Sequence, residues 1–194
     1  MTFLATVPPD EATGAVAEHY AADEEALGFL PNFTRAFSLR PDVYAAWKAL
    51  SGVVREEAGL RRYELATFAA ARELRSTYCA LAHGKVILDH GFLDADALVA
   101  PASESLDGAD RAVMELAALV ARDATAVTPA HLDRLRTHGL TDPEILDVIL
   151  AAAVRAFFSK VLDATGAAAD PQLAAALDPS LRDVLTVGRP PAAS

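Results

Sequence analysis

Residues 61–90 read RRYELATFAA ARELRSTYCA LAHGKVILDH, and this stretch decides the fold class. Over 63–74 apolar side chains and strong helix formers follow one another without period-two alternation, which reads as a mostly apolar helix. Ser76-Thr77-Tyr78-Cys79 interrupts the run, and a second helix continues over 81–88 to a stop at His90-Gly91. Working outward, Gly59 ends the preceding element. That element starts with Pro41 at its first turn and runs through Leu50 or Val54; Val43, Trp47 and Leu50 recur in it at helical spacing, the signature of a buried stripe. Further upstream, an extended lead over 1–9 precedes a helix from Asp10 or Glu11 to Leu27, closed by Gly28 and the Pro31-Asn32 turn. Downstream, a short helix over 94–99 and a helix over 110–122 flank the polar, turn-rich segment 101–110. Thr128-Pro129 opens another helix, ended by Gly139. Thr141 with Glu144 three residues on forms a capping box for a largely buried helix reaching Gly166, and Asp170-Pro171 starts a small terminal one. No segment alternates with period two, so the expected fold is all-α.

Composition agrees with that reading. The chain has 194 residues, 53% of them hydrophobic and only 7% aromatic, with alanine dominant. Alanine favours helix and lets helices approach closely. The expected organisation is a single domain over 1–180, two helical halves meeting around 100–110, and a flexible tail over 181–194. A net charge of -10 repels phosphate backbones, so nucleic acid is not an expected partner. The N-terminal segment lacks a basic n-region, and no window has 18 uninterrupted apolar residues; no membrane span and a cytoplasmic location are expected.

The single cysteine rules out an internal disulfide and a thiolate-only metal site. Cys79 and His83 stand four apart on one helix face, where an imidazole in reach would accept the thiol proton. The plain alternative is a buried packing cysteine. With Ser76 as N-cap, Cys79 falls at the third helical position, near unpaired N–H groups whose positive end favours a thiolate; the Ser76 hydroxyl would accept the Cys79 N–H. Glu64 lies fifteen residues before Cys79 and reaches it only if the chain reverses between Leu74 and Ser76. Burial would then raise its carboxyl pKa and suit it to passing a proton. Its alternative is an ion pair with Arg61, Arg62 or Arg75. No spacing suggests a metal, and no glycine-rich loop suggests a nucleotide, so no cofactor is expected.

Glu64, Ser76, Cys79 and His83 fall on the spacings of a Glu, a Cys-x-x-Cys and a His, as in the AhpD-like/carboxymuconolactone decarboxylase superfamily. Gly28-Phe29-Leu30-Pro31-Asn32-Phe33, the start at Gly139-Leu140-Thr141 and the closing Phe157-Phe158-Ser159-Lys160 also resemble its peroxidase-related branch. The resemblance implies an AhpD-like helical bundle, a homo-oligomer (dimer, trimer or hexamer) and a small-molecule substrate. It implies Cys79 as the peroxide-attacking thiol, with Glu64 and His83 relaying protons. Ser76 stands where the resolving cysteine would be, and a hydroxyl cannot close a disulfide. The main expectation is thus a single-cysteine, thiol-dependent alkylhydroperoxidase-like oxidoreductase acting on small hydroperoxides, reduced by an external thiol or redox protein. The alternatives are a cysteine-independent acid–base enzyme on a small organic acid or lactone, like the decarboxylases, and a non-catalytic helical oligomer.

Overall fold

The computed structural model describes residues 2–99 and 106–193, and every element longer than one turn among them is an α-helix. They are α1 (Gly14–Leu27), α2 (Asn32–Ala36), α3 (Pro41–Ala58), α4 (Leu60–Glu73), α5 (Thr77–Asp89), α6 (Ala95–Val99), α7 (Gly108–Asp123), α8 (Pro129–Thr137), α9 (Asp142–Thr165), α10 (Pro171–Ala175) and α11 (Pro179–Leu185).

The all-α expectation holds, and α4 is its axis. Every side chain from Tyr63 to Ala71 on this helix is buried, because α5, α7 and α9 cover it from three sides and α3 touches its start. Alanines 66, 69, 70 and 71 let those neighbours approach, so one helix serves as the inner face of several packings. The capping box of α9 forms as expected: the Thr141 N–H and hydroxyl both donate to Glu144, at 2.8 and 2.7 Å. Gly166, left-handed at φ 77°, ends that helix.

Several expectations need correction. The first helix starts at Gly14, since Pro9–Glu11 forms one 3₁₀ turn and Ala12 is extended. The stripe Val43-Trp47-Leu50 is not buried: Leu50 is exposed, and Val43 and Trp47 are only partly covered. Helical spacing places these residues on one face, and among the described residues that face is covered only in part: Trp47 stacks on Phe158, while Leu50 stays open. The C-terminal tail is not loose through residue 193. Leu181 and Leu185 are buried, the Gly188 N–H donates to the Thr77 hydroxyl at 2.9 Å, and the Ala192 N–H donates to the Ala169 carbonyl at 2.8 Å. Of the linker expected around 100–110, positions 100–105 lie outside the described residues. The helices on its two sides pack directly together, α4 against α7 and α9.

Candidate active site

The reversal that Glu64 requires is present between α4 and α5. Arg75 takes a left-handed conformation at φ 57°, and the Ser76 N–H donates back to the Ala71 carbonyl at 2.9 Å. This closes α4 and turns α5 antiparallel along it, so Glu64 near the start of α4 meets His83 at the middle of α5. His83 Nδ1 lies 2.6 Å from Glu64 Oε2 and 3.2 Å from the Thr67 hydroxyl. Thr67 donates its own proton to the carbonyls of Tyr63 and Glu64, so its oxygen is left to accept. The three competing arginines are engaged elsewhere: Arg61 with Asp110, Arg62 with Glu144, and Arg75 with the Val187 carbonyl.

The charge state of the pair differs from the sequence expectation. Burial alone pushes the Glu64 carboxyl up, but His83, Arg55 and Arg155 outweigh it and the net direction is down. For His83, burial and the positive charges of Arg155 and Arg55 push the imidazole down against the opposing pull of Glu64. The result at neutral pH is a carboxylate beside a neutral imidazole. A carboxylate only accepts, so Nδ1 carries the proton and Nε2 is the basic nitrogen. No hydrogen bond engages Nε2 among the described residues.

Cys79 is buried on α5, 2% exposed, at the third helical position as expected. Its polar neighbour is not His83 but Arg155 on α9, whose Nη1 donates to Sγ at 3.4 Å. Burial lowers the Arg155 pKa, yet the neighbouring Cys79 and Tyr63 raise it overall, so the guanidinium stays charged. It sits over the rings of Phe158 and Trp47, 5.3 and 5.9 Å from their centroids. Its Nε is buried with no hydrogen-bond partner. Tyr63 bonds Ser51 on α3 at 2.7 Å. Ser76 is the N-cap residue of α5, but its hydroxyl makes no capping bond and is fully buried, on the side of Asp163. The Asp163 carboxyl is raised by burial and lowered by Ser76 and Arg189.

The four residues singled out in the sequence therefore form two units: Glu64 with His83, and Cys79 with Arg155, with Ser76 at the helix start beside the second. Arg155, Thr67 and Tyr63 were missed. Arg155 left a signal, as the one charge in the apolar run 151–158 (AAAVRAFF) of a helix expected to be buried. Among the described residues no group of His, Cys, Asp and Glu is arranged to hold a metal, and no helix is long and apolar enough to cross a membrane.

This architecture is an AhpD-like helical bundle. It superimposes on an uncharacterized peroxidase-related protein with an alkylhydroperoxidase AhpD core from Ralstonia eutropha JMP134, with TM-score 0.78, 21% identity, and coverage of 89% of this chain and 94% of the other. A peroxidase-related protein from Silicibacter sp. TM1040 gives 0.72 at 18% identity, covering 88% and 90%. A cysteine-to-alanine variant of the debrominase Bmp8, in complex with 2,3,4-tribromopyrrole, gives 0.71 at 17% identity, covering 92% and 98%. No curated protein sequence matches significantly. The carboxymuconolactone decarboxylase family pattern matches residues 95–170, a segment that holds Arg155 but not Glu64, Cys79 or His83. The match to the carboxymuconolactone decarboxylase family pattern covers less than half of the chain, and the superpositions show that the fold is shared with these peroxidase-related proteins.

Proposed function

We propose that this chain is an acid–base enzyme acting on a small organic acid or lactone, with His83 as the proton-transferring base, Glu64 as its orienting carboxylate and Arg155 as the cation that receives the substrate's negative charge. The observation that carries this reading is the Glu64–His83 contact of 2.6 Å, which fixes the tautomer and leaves Nε2 free to take a proton. The unpartnered Nε of buried Arg155 supports an anionic ligand, because a buried charged donor without an acceptor is otherwise costly. In the reaction His83 Nε2 takes a proton from carbon next to a carbonyl, the electron pair moves onto the carbonyl oxygen, and the imidazolium, held by Glu64, returns the proton to another carbon. On a lactone acid the same site supports loss of CO2: the bond to the carboxylate breaks, its electrons enter the conjugated carbonyl, and the resulting carbanion takes a proton that His83 Nε2 has first picked up from solvent, which returns the imidazole to its neutral form. With one buried cysteine and no second thiol in the chain, an intramolecular disulfide cycle has no support.

A second reading rests on the Arg155–Cys79 bond, since a guanidinium against sulfur favours a thiolate. Cys79 would then attack a small hydroperoxide, releasing an alcohol and becoming a sulfenate that two external thiols reduce. One experiment separates the two. Hydrogen–deuterium exchange and CO2 release from carboxymuconolactone and simpler lactone acids are followed by NMR, alongside hydroperoxide consumption with a small thiol present. The acid–base reading expects Cys79→Ala to retain the exchange and His83→Gln to lose about 10²–10⁴-fold. Hydroperoxide turnover abolished by Cys79→Ala, with no exchange on any lactone acid, would replace it with the thiol reading.

A further inference from the structure

Arg155, Ser159 and Asp163 follow one another at steps of four along α9, and the first turn of α5 faces this stripe: Cys79 meets Arg155, and Ser76 lies on the side of Asp163. Ser159 stands between them and has no role in the chemistry described so far. A buried hydroxyl on a helix ordinarily donates to the carbonyl one turn back. Thr67, Thr165 and Thr186 all do so in this chain, to Tyr63, Val161 and Arg182, each at 2.8 Å. Ser159 is fully buried, yet its hydroxyl forgoes the Arg155 carbonyl and has no other partner. One turn earlier on the same face, Arg155 is in the same position. Its Nη1 is used by the cysteine sulfur, and its Nε is buried without an acceptor. A buried donor without an acceptor is costly, a charged one more so, and here two stand together. Side chains four apart on a helix are about 5–6 Å apart at Cβ, within the span of one small group that carries two acceptor oxygens.

We propose that Arg155 and Ser159 together form a carboxylate cradle, in which one ligand oxygen accepts from Arg155 Nε and the other from the Ser159 hydroxyl, and that its ligand is a small monocarboxylate. The inference rests on the reading of Arg155 as the cation that receives negative charge, and it adds a second contact and the charge of the ligand. The surroundings favour one negative charge over two. Arg155 and Arg55 both bring positive charge to Glu64, which bears a single negative one, and His83 is neutral. A monoanion balances the remaining positive charge. A dianion such as phosphate would leave a negative charge buried in excess, with Asp163 one turn beyond Ser159 adding repulsion. The start of α5 acts in the same sense. Ser76 makes no capping bond there, so the first-turn N–H groups of this 13-residue helix keep their positive end uncapped, and Cys79 in that turn touches Arg155.

Direct binding of acetate tests this without reference to any turnover, with acetamide as the probe of the same shape and no charge. Binding at neutral pH is followed by the fluorescence of Trp47, the one tryptophan, whose ring centre is 5.9 Å from the Arg155 guanidinium carbon, and independently by relaxation of the ligand methyl protons. Acetate should saturate the protein, with acetamide and inorganic phosphate about tenfold weaker or worse. Ser159→Ala should weaken acetate by about tenfold, as a hydrogen bond to a charged group is lost, and Arg155→Met should abolish saturation. The Ser159→Ala protein should keep or raise its Tm, because it loses only an unpartnered hydroxyl and gains helix propensity; a serine with a purely structural role would lower it. Acetate binding that Ser159→Ala leaves unchanged overturns the proposal. So does acetamide or phosphate binding as tight as acetate, or a wild-type Kd for acetate weaker than about 50 mM. Failure here is separable from failure of the acid–base reading. Acetate saturation without proton exchange on any lactone acid would remove that reading and keep the cradle, whereas exchange whose KM is unchanged in Ser159→Ala would remove the cradle alone.

Discussion

Arg155 carries a full charge into the middle of a 24-residue helix, and the two units of the site depend on it. Its positive field lowers both the Glu64 and the His83 pKa, while its Nη1 holds the cysteine sulfur. Replacing it with methionine keeps the apolar stem and removes the charge. The His83 titration, followed by the NMR shift of its ring proton, should then move upward; an unmoved titration would show that burial alone sets it. His83 also makes stability depend on pH. Burial is the first cause of its depressed pKa, so the folded value lies below the ordinary 6.5 and the unfolded chain takes up the proton first on acidification. The stability tied to the neutral imidazole is complete above pH 6.5 and is lost as pH falls through the folded value. Glu64, also depressed, acts in the same direction, with stability present above its ordinary 4.5 and lost as pH falls through its own folded value. Urea unfolding at a series of pH values should show stability declining just below pH 6.5, and His83→Gln should flatten that part of the curve. Equal slopes for the two proteins would remove His83 as the titrating group. Sequence reading singled out Glu64, Ser76, His83 and Cys79 but paired them differently from the contacts they make. Spacing on one helix places Cys79 and His83 on a shared face, yet the partner each takes is set by α4 and α9, which one-dimensional spacing does not see.

At the scale of the helices, ends were easier to read than faces. The cap of α9 is local chemistry, a threonine and a glutamate three residues apart, and it forms where the sequence says it should. Glu144 is held down to about 2, with the Thr141 backbone N–H as the first cause, then the Thr141 hydroxyl and Arg62. Thr141→Ala removes the hydroxyl half of this arrangement. It should lower the Tm by about 2–4 °C in a chain of this size, measured by calorimetry, with no change in the His83 titration. A wild-type Tm in that variant would mean that the first turn of α9 is held by its packing alone. The α4–α5 turn was legible as a break but not as a left-handed arginine, because Arg75 is an unusual residue for that conformation. Faces were read less well for a general reason. A period of 3.6 tells which side chains look the same way, and it is silent on what stands opposite them. For α4 neighbours stand on three sides; for the stripe Val43, Trp47 and Leu50, the described residues cover only the part where Trp47 stacks on Phe158.

At the scale of the whole molecule, the C-terminal stretch, expected to be a flexible tail, packs back on the rest of the chain. Leu185 is fully buried, and Gly188 passes so close to the α4–α5 turn that a Cβ there would sit 1.9 Å from the Arg75 carbonyl oxygen. The stretch thus clamps the turn that brings Glu64 to His83. Leu185 meets α5 at Gly84, one residue after His83, where a Cβ would fall 2.9 Å from Leu185 Cδ1 and 3.4 Å from Phe68 Cε2. This contact gives a test of whether the tail is part of the folded unit. Leu185→Ala should destabilise by about 2–5 kcal/mol, as a filled core position becomes a cavity. Gly84→Ala alone should be destabilising or neutral, because its gain in helix propensity of about 1 kcal/mol is offset by the collision with Leu185. In the Leu185→Ala background the same methyl group enters the vacated space, and Gly84→Ala should become stabilising. Denaturant unfolding of the four proteins in this cycle should therefore give a coupling of about 1–2 kcal/mol. Additive effects within about 0.5 kcal/mol, together with a small effect of Leu185→Ala, would mean that α11 detaches in solution and that the α4–α5 turn holds its geometry without it.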